Sequence, residues 1–271
     1  MKIFKDKFTL QKEILKTKGI SFVPTMGGLH EGHISLIKRS KKSKLKTLVS
    51  IFVNPKQFNK KSDFRSYPRS ANKDLKHLKK LKISYLYMPT FKDIYGFKPK
   101  ERIFLDKFSK KLCGKFRKGH FEGVLNVVNR FIEIIKPKYI FLGKKDYQQL
   151  YLIKKHIDKR KIKTKVIECK TIRESNGIPF STRNLNLNKN QMKTASNIYY
   201  YLYNLKKKIK KNYNLFNINK IKKDLKDLGA SKIDYLENYN IKNFKKIKKQ
   251  NKKFNIFIAY YIKNIRLIDN I

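Results

Sequence analysis

Between residues 20 and 169 the chain repeats one pattern: a short apolar run, a polar or glycine-bearing break, then a segment with helical spacing. The apolar runs fall at 20–23, 48–53, 83–88, 139–142 and 164–169. Residues 48–53 are almost continuously apolar, as in a parallel strand covered on both faces. Asn54-Pro55, Pro89 and Gly143 stop three of the runs. Helices are expected at 5–18, 34–42, 71–81 and 124–135, and from Asp146, a candidate N-cap, to about His156. Residues 55–68 are expected as a loop, 91–112 as short strands and loops, and 119–123 as a glycine interruption. Strand–helix alternation of this kind predicts an α/β fold, a Rossmann-like doubly wound parallel sheet with right-handed crossovers. In such a sheet ligands bind at the carboxyl ends of the strands.

After Ser175-Asn176-Gly177 the character changes. Helices are expected at 189–211 and 217–228, and strands at 233–238 and 254–262. They make a smaller α+β C-terminal domain, so the chain divides into residues 1–170 and 171–271. The Lys/Asn-rich residues 241–253 are expected to form a solvated loop or surface helix.

The net charge of +49 raises the question of a nucleic-acid partner. Only 10 of the 68 basic residues are arginine, however. Base readers and phosphate clamps favour the planar arginine fork. Here lysine is spread over nearly every segment, as compositional drift toward Lys, Asn and Ile produces, so no specific nucleic-acid partner is expected. Such a charge still recruits anionic substrates in a salt-dependent way. No apolar stretch reaches the roughly 18 residues of a membrane span, and residues 1–7 lack the core of a leader peptide. Cys113 and Cys169 stand alone, with no metal-ligand spacing. A reducing, cytoplasmic compartment is expected.

The polar strings that follow the strands carry the chemistry. Val23-Pro24-Thr25-Met26-Gly27-Gly28-Leu29-His30-Glu31-Gly32-His33 runs from the first strand into a helix. Two glycines permit a tight turn, and the amides that open the helix are expected to be unpartnered and available to an anion. His30 and His33, spaced i, i+3, can face the same way. Asn54 and Gln57 offer amides that suit a hydroxyl or carboxylate without committing a charge. Arg117-Lys118-Gly119-His120 can dock a carboxylate or phosphate, or be a basic surface loop. In Gly143-Lys144-Lys145-Asp146-Tyr147-Gln148-Gln149, Lys145 can neutralise phosphate, and Asp146 can hold a ribose hydroxyl or a Mg²⁺ water, or act as a simple cap. Gln149 shares a helical face with Asp146. Phe180-Ser181-Thr182-Arg183-Asn184 offers hydroxyls and an arginine at the domain junction, either as a loop closing over a triphosphate or as a polar linker.

Residues 24–33 resemble the signature of the pantothenate synthetase (pantoate–β-alanine ligase) family. Their His-x-Gly-His core is shared with the wider nucleotidyltransferase superfamily, which includes class I aminoacyl-tRNA synthetases. Further strings resemble the family in the same order: Ser50-Ile51-Phe52-Val53-Asn54-Pro55-Lys56-Gln57-Phe58, Tyr67-Pro68-Arg69, Gly119-His120-Phe121-Glu122-Gly123-Val124, the Gly143–Gln149 string, Ser181-Thr182-Arg183-Asn184, and Ala259 with Arg266-Leu267-Ile268-Asp269-Asn270.

The resemblance implies ATP-dependent condensation of (R)-pantoate with β-alanine through pantoyl adenylate. It implies an ATP loop of Met26, Gly27, Gly28, Leu29, His30, Glu31, Gly32 and His33, with His33 the proton donor that assists pyrophosphate departure and His30 on the phosphates. Gln57 and Gln149 are implied for pantoate, Gln57 also near β-alanine. Asn54, Arg117 and His120 are implied near the substrate and phosphate pocket. Gly143, Lys144, Lys145 and Asp146 are implied for ATP, with Lys145 on phosphate and Asp146 on ribose. Ile172 is implied beside adenine. Phe180, Ser181, Thr182 and Arg183 are implied as a mobile phosphate-binding loop in a lid domain. ATP as substrate, Mg²⁺, no protein metal site and a homodimer through the N-terminal domain complete the expectation. Lys144 stands where the family usually has Glu, and Thr182 where it has Ser. The alternative is a related adenylate-forming enzyme for a different small carboxylic acid, against which the Gln57/Gln149 pair argues.

Overall fold

A computed structural model describes residues 1–59, 61–241, 243–247 and 253–271. The chain divides into two compact units, Met1–Thr171 and Ile172–Ile271.

In chain order the first unit contains β1 (Lys2–Phe4), α1 (Lys7–Ile14), β2 (Ile20–Thr25), α2 (Glu31–Lys41), β3 (Lys46–Ile51), α3 (Lys61–Arg65), α4 (Ala71–Lys80), β4 (Tyr85–Tyr87), α5 (Phe91–Tyr95), α6 (Cys113–Phe116), α7 (His120–Ile135), β5 (Tyr139–Gly143), α8 (Tyr147–Lys159) and β6 (Lys165–Cys169). The six strands form one parallel sheet in the order β1-β4-β3-β2-β5-β6. The doubly wound parallel sheet expected from the alternation is present. Strand order reverses between β2 and β5, which pair through Ser21–Tyr139 and Phe22–Ile140. Crevices for ligands open at such a reversal, beyond the carboxyl ends of the strands. The histidine loop leaves β2 there, and residues 144–146 leave β5.

Alternation along each strand divides the core. Phe22, Leu48, Tyr87, Ile140 and Leu142 share one cluster with Leu10 of α1, Phe131 and Ile135 of α7, and Ile153 of α8. Their strand neighbours Val23, Val49, Leu86 and Phe141 share another with Leu36 and Ile37 of α2 and Leu78 of α4. Burial on both faces explains why these strands are apolar runs rather than alternating ones. Pro24 sits inside a central strand without cost to the ladder, because β2–β5 pairing involves only Ser21 and Phe22.

Several boundaries differ from expectation for local reasons. The first helix is shorter than 5–18 and is preceded by edge strand β1, whose three residues offer no periodicity to read. Asp6 caps the helix by accepting from the Phe8 and Thr9 amides. Residues 55–68 are not only loop, since a 3₁₀ turn (Pro55–Gln57) and α3 lie within them. The expected strands at 91–112 are replaced by α5, with a Thr90/Asp93 capping box, and a 3₁₀ turn at Lys107–Lys110 capped by Asp106. The expected interruption at 119–123 ends at Gly119, in the left-handed region at φ 77°, and α7 runs unbroken through Gly123.

The second unit contains a 3₁₀ turn (Thr182–Asn186), α9 (Lys189–Lys211), α10 (Ile218–Asp227), β7 (Lys232–Asn240), β8 (Phe254–Ile262) and β9 (Ile265–Asn270). The strands form an antiparallel sheet in the order β7-β8-β9. Its core joins Ile198 and Leu202 of α9 and Leu225 of α10 to Ile256 and Ile258 of β8. Strand β9, absent from the sequence reading, is reached through a turn in which Lys263 takes φ 51° without a glycine to mark it. Arg173 clamps β9 through two hydrogen bonds to Asp269, at 2.7 and 2.9 Å. Of the stretch expected to be solvated, residues 242 and 248–252 lie outside the described residues. Phe244 and Ile247 are buried, which corrects the expectation there.

Among the described residues both cysteines are free and buried, no helix is long and apolar enough to cross a membrane, and no group of three His, Cys, Asp or Glu is placed to hold a metal ion.

Candidate active site

The loop after β2 turns through Gly27 and Gly28, at φ 80° and 62°. Thr25 anchors its start: the hydroxyl donates to the Ser50 carbonyl at 2.7 Å and accepts from the Gly27 amide at 3.2 Å. The next two amides, Gly28 and Leu29, both donate to the carboxylate of Asp74 on α4, each at 2.8 Å. The helix start is likewise self-capped. The Gly32 amide donates to His30 Nδ1 at 3.2 Å, and the His30 amide to His33 Nδ1 at 3.4 Å. The expectation of unpartnered amides is therefore corrected at Gly28, Leu29, His30 and Gly32, where side chains of the chain itself take the place foreseen for an anion.

This capping fixes the histidine tautomers. An Nδ1 that accepts an N–H carries no proton, so both neutral rings hold theirs on Nε2. The rings lie 4.0 Å apart, tilted by 34°. Burial, then the positive charge of Lys145, lowers the pKa of His30 to about 4, with Asp146 opposing. Burial, then His30, lowers that of His33 to about 3. At neutral pH the pair presents two N–H donors without charge. The same effects show that Lys145 and Asp146, after β5, lie within electrostatic reach of both rings. Lys145 Nζ is 3.4 Å from Asp146 Oδ1. Asp146 takes the N-cap position of α8 without a side-chain capping bond, so the simple-cap role does not account for it.

Gln57 is buried and held from several directions. Its side-chain nitrogen donates to Met26 Sδ at 2.7 Å, tying it to the histidine loop. Its side-chain oxygen accepts from Asn54 Nδ2 at 3.3 Å. Asn54 itself caps the turn by accepting from Lys56 N, accepts from the Tyr95 hydroxyl at 2.9 Å, and donates to the Gly123 carbonyl at 3.1 Å. The main-chain oxygen of Gln57 accepts from His120 Nδ1 at 2.8 Å and from Arg117 at 3.3 Å. Arg117 Nη1 lies 3.1 Å from His120 Nε2, the partner left for an Nδ1–H tautomer. Gly123 permits the contact: a Cβ there would sit 2.1 Å from the Lys56 carbonyl oxygen. The basic loop is thus more than a solvated surface, because Arg117 and His120 brace Gln57.

Of the two adjacent glutamines that open α8, Gln148 is spent on structure. It donates to the Phe108 and Lys111 carbonyls at 2.9 and 2.8 Å and accepts from Cys113 N at 3.1 Å. Gln149 is half-buried, and its side chain makes no hydrogen bond among the described residues. Lys144 pairs with Glu168 of β6 at 3.2 Å, and Lys154 with the same carboxylate at 2.5 Å. Burial works against that carboxylate's charge, but the two lysines hold its pKa below the usual value.

Ile172, Phe180, Ser181, Thr182 and Arg183 belong to the second unit. There the Phe180 amide donates to the Ile172 carbonyl at 3.1 Å, and Ser181 caps the 3₁₀ turn by accepting from the Arg183 amide. The sequence reading missed Asp74 and Tyr95, whose partners lie about 45 and 41 residues away in the chain.

A family model described as pantoate-beta-alanine ligase matches residues 2–271. A pantothenate synthetase of Francisella tularensis subsp. mediasiatica is 38% identical over 268 residues, covering 97% of this chain and 92% of that protein. One from Francisella philomiragia is 39% identical over 267 residues, covering 98% and 94%. Among solved structures, a pantothenate synthetase from Thermus thermophilus superposes with a TM-score of 0.91 at 26% identity, covering 100% of this chain and 99% of that one. A pantoate-beta-alanine ligase from Francisella tularensis, complexed with beta-gamma ATP and beta-alanine, gives 0.83 at 37% identity, covering 100% and 97%.

Proposed function

The chain belongs to the pantoate-beta-alanine ligase family, and from that membership we propose how its own residues carry the reaction. The acid is (R)-pantoate. Its carboxylate attacks the α-phosphorus of ATP, the α–β phosphoanhydride bond breaks, and pyrophosphate leaves. The amine of β-alanine then attacks the acyl carbon of pantoyl adenylate, AMP departs, and the amide of pantothenate forms.

Transfer of this kind depends on charge neutralisation and in-line positioning more than on covalent help from the protein. In this reading residues 26–33 form the ATP loop, and the Nε2–H groups of His30 and His33 donate to the phosphates as pyrophosphate departs. The Lys145 ammonium neutralises phosphate charge. Gly143 and Lys144 border the nucleotide, and Asp146 accepts from the ribose. The amides of Gln57 and Gln149 hold pantoate, and Asn54, Arg117 and His120 keep Gln57 in place. Ile172 lies beside adenine, and Phe180, Ser181, Thr182 and Arg183 cover the phosphates, shielding the adenylate from water. Mg²⁺, a cation that prefers substrate oxygens and water to an all-protein cage, would accompany the nucleotide and add to the neutralisation of phosphate charge that Lys145 supplies. The enzyme works as a homodimer through its N-terminal unit, in a reducing cytoplasm suited to two free thiols.

The observation that carries this reading is the convergence of the histidine pair, Lys145 and Gln57 where the strand order reverses. The test is pantoate-dependent exchange of pyrophosphate into ATP, followed by AMP release on adding β-alanine. Absence of exchange with pantoate, but exchange with another small carboxylic acid, replaces pantoate as the substrate.

A further inference from the structure

We infer that Asp74 is the positioning residue of the histidine loop and fills the anion nest that the loop's own amides create. The inference rests on the ligase reading above.

Two successive amides turned the same way, behind residues in the left-handed region, make a concavity that binds anions. Gly27 and Gly28 set up that geometry, and the Gly28 and Leu29 amides converge. The anion they receive is supplied from within the fold. Asp74, 1% exposed, reaches across from α4 and accepts one amide on each oxygen, both at 2.8 Å. Its remaining partner is the Ser70 hydroxyl at 3.4 Å. Among the described residues no lysine or arginine pairs with it, although the chain is crowded with both. A buried carboxylate is costly unless hydrogen-bonded, and here the two backbone amides satisfy it and hold it in place. Gly27 is part of the fit: a Cβ there would meet Asp74 Oδ2 at 3.0 Å.

The consequence concerns which groups meet the nucleotide. The carboxylate occupies the Gly28 and Leu29 amides, so these cannot bind a phosphate. The phosphates are left to the side chains that follow, His30 and His33. Their rings are placed by capping a helix whose entry is pinned, one residue earlier, by the Leu29–Asp74 bond. Asp74 therefore acts on pyrophosphate departure through His30 and His33, without touching the substrate. The transfer to β-alanine, in which no pyrophosphate leaves, does not need it.

The test separates the two half-reactions in the full-length protein carrying Asp74→Ala or Asp74→Asn. Pyrophosphate exchange should fall about 100-fold in D74A, the cost of misplacing a catalytic group by about 1 Å. D74N keeps one acceptor oxygen and should recover part of the loss. The rate of transfer from supplied pantoyl adenylate to β-alanine should stay at the wild-type level in both. Wild-type exchange in D74A overturns the inference, and so does a matching loss of both half-reactions, which marks a purely structural role. If D74A does not fold, the same split is read from D74N. One measurement is independent of the acid used: the imidazole ¹H–¹⁵N resonances of His30 and His33 should move in D74N, and unmoved resonances overturn the inference. If wild-type protein shows no exchange while D74N moves those resonances, the ligase reading fails and the positioning role stands.

Discussion

His120 Nδ1 lies 2.8 Å from the main-chain oxygen of Gln57, so this histidine reaches the glutamine proposed to hold pantoate through its backbone. Removing such a bond costs about 1 kcal/mol, and more when the carbonyl is left buried and unpaired. His120→Ala should therefore raise the KM for pantoate about tenfold, with a smaller change in kcat. An asparagine amide can stand in for Nδ1, whereas a glutamine amide overshoots to the position of Nε2. H120N should recover much of the loss and H120Q little, as steady-state titration with pantoate will show. Equal behaviour of the two variants removes the Gln57 contact as the cause.

Gly123 tests the same wall from the helix side. A Cβ at this position would stand 2.1 Å from the Lys56 oxygen and 2.9 Å from the Gln57 Cα, all backbone atoms that cannot rotate away. Gly123→Ala must push the 3₁₀ turn off α7. Overpacking of this kind costs about 1–3 kcal/mol, and the melting temperature should fall by about 2–4 °C for each of them. Because the displaced residue is Gln57, the pantoate KM should rise as well. A stable variant with wild-type pantoate affinity shows that the turn is free to move.

Lys144 is one of the two positions at which the sequence resemblance breaks, and the structure supplies it with a partner in Glu168. Both side chains are partly exposed, so the pair is screened and weak. A double-mutant cycle with K144Q and E168Q should give a coupling of about 0.2–1 kcal/mol in low salt that shrinks toward zero in high salt. A coupling that survives salt means a drier contact than this one.

Much of the fold was legible because burial on both faces writes parallel strands as unbroken apolar runs. The strand ends, and hence the loops of the site, follow from them. What escaped was held by contacts distant in the chain. Asp74 sits in Asn-Lys-Asp-Leu-Lys, which looks like any solvated helix face, and nothing local shows that its carboxylate turns inward to Gly28. Gly123 looks like a helix breaker because the reason for a glycine lies on the other partner, the Lys56 carbonyl. Gln148 and Gln149 are adjacent and alike in chemistry, and nothing local shows that Gln148 is consumed by three backbone bonds. The Thr90/Asp93 capping box, by contrast, is a readable signal for α5 in a stretch whose sequence otherwise suggests short strands and loops.

Acid should destabilise the protein through its buried histidines. His156 is fully buried, donates from Nε2 to Asn129 Oδ1 at 3.1 Å and accepts the Phe104 amide on Nδ1. Burial, then Arg160, lowers its pKa to about 4. In the unfolded chain it titrates near 6.5. Between those values the unfolded state binds a proton that the folded state does not, so stability rises with pH there and is lost as pH falls from about 6.5 to about 4. His156 alone accounts for up to about 3 kcal/mol of that loss. Chemical denaturation at pH 7 and pH 5 should show the drop, and His156→Gln, less stable at pH 7, should show a shallower one. An unchanged slope assigns the acid sensitivity elsewhere.

The tautomer of His33 decides which replacement can work for it. Its Nδ1 accepts the His30 amide, so the group it can offer a phosphate is the Nε2–H. Its pKa of about 3, lowered by burial and by His30, means that the free enzyme carries it uncharged throughout the physiological range. Nucleotide phosphates raise that value on binding, so any proton it passes to pyrophosphate is acquired in the complex. His33→Ala should lower the exchange rate about 10²–10³-fold, as loss of a preorganised donor does. H33Q, whose amide nitrogen falls near Nε2, should retain more activity than H33N, whose amide falls near Nδ1. The pH profile of kcat/KM reports the free enzyme, and His33 should give it no acidic limb between pH 8 and pH 5. A limb near pH 6.5 in the wild type that vanishes in H33Q means that the free enzyme uses an imidazolium, and the neutral-donor role is then wrong.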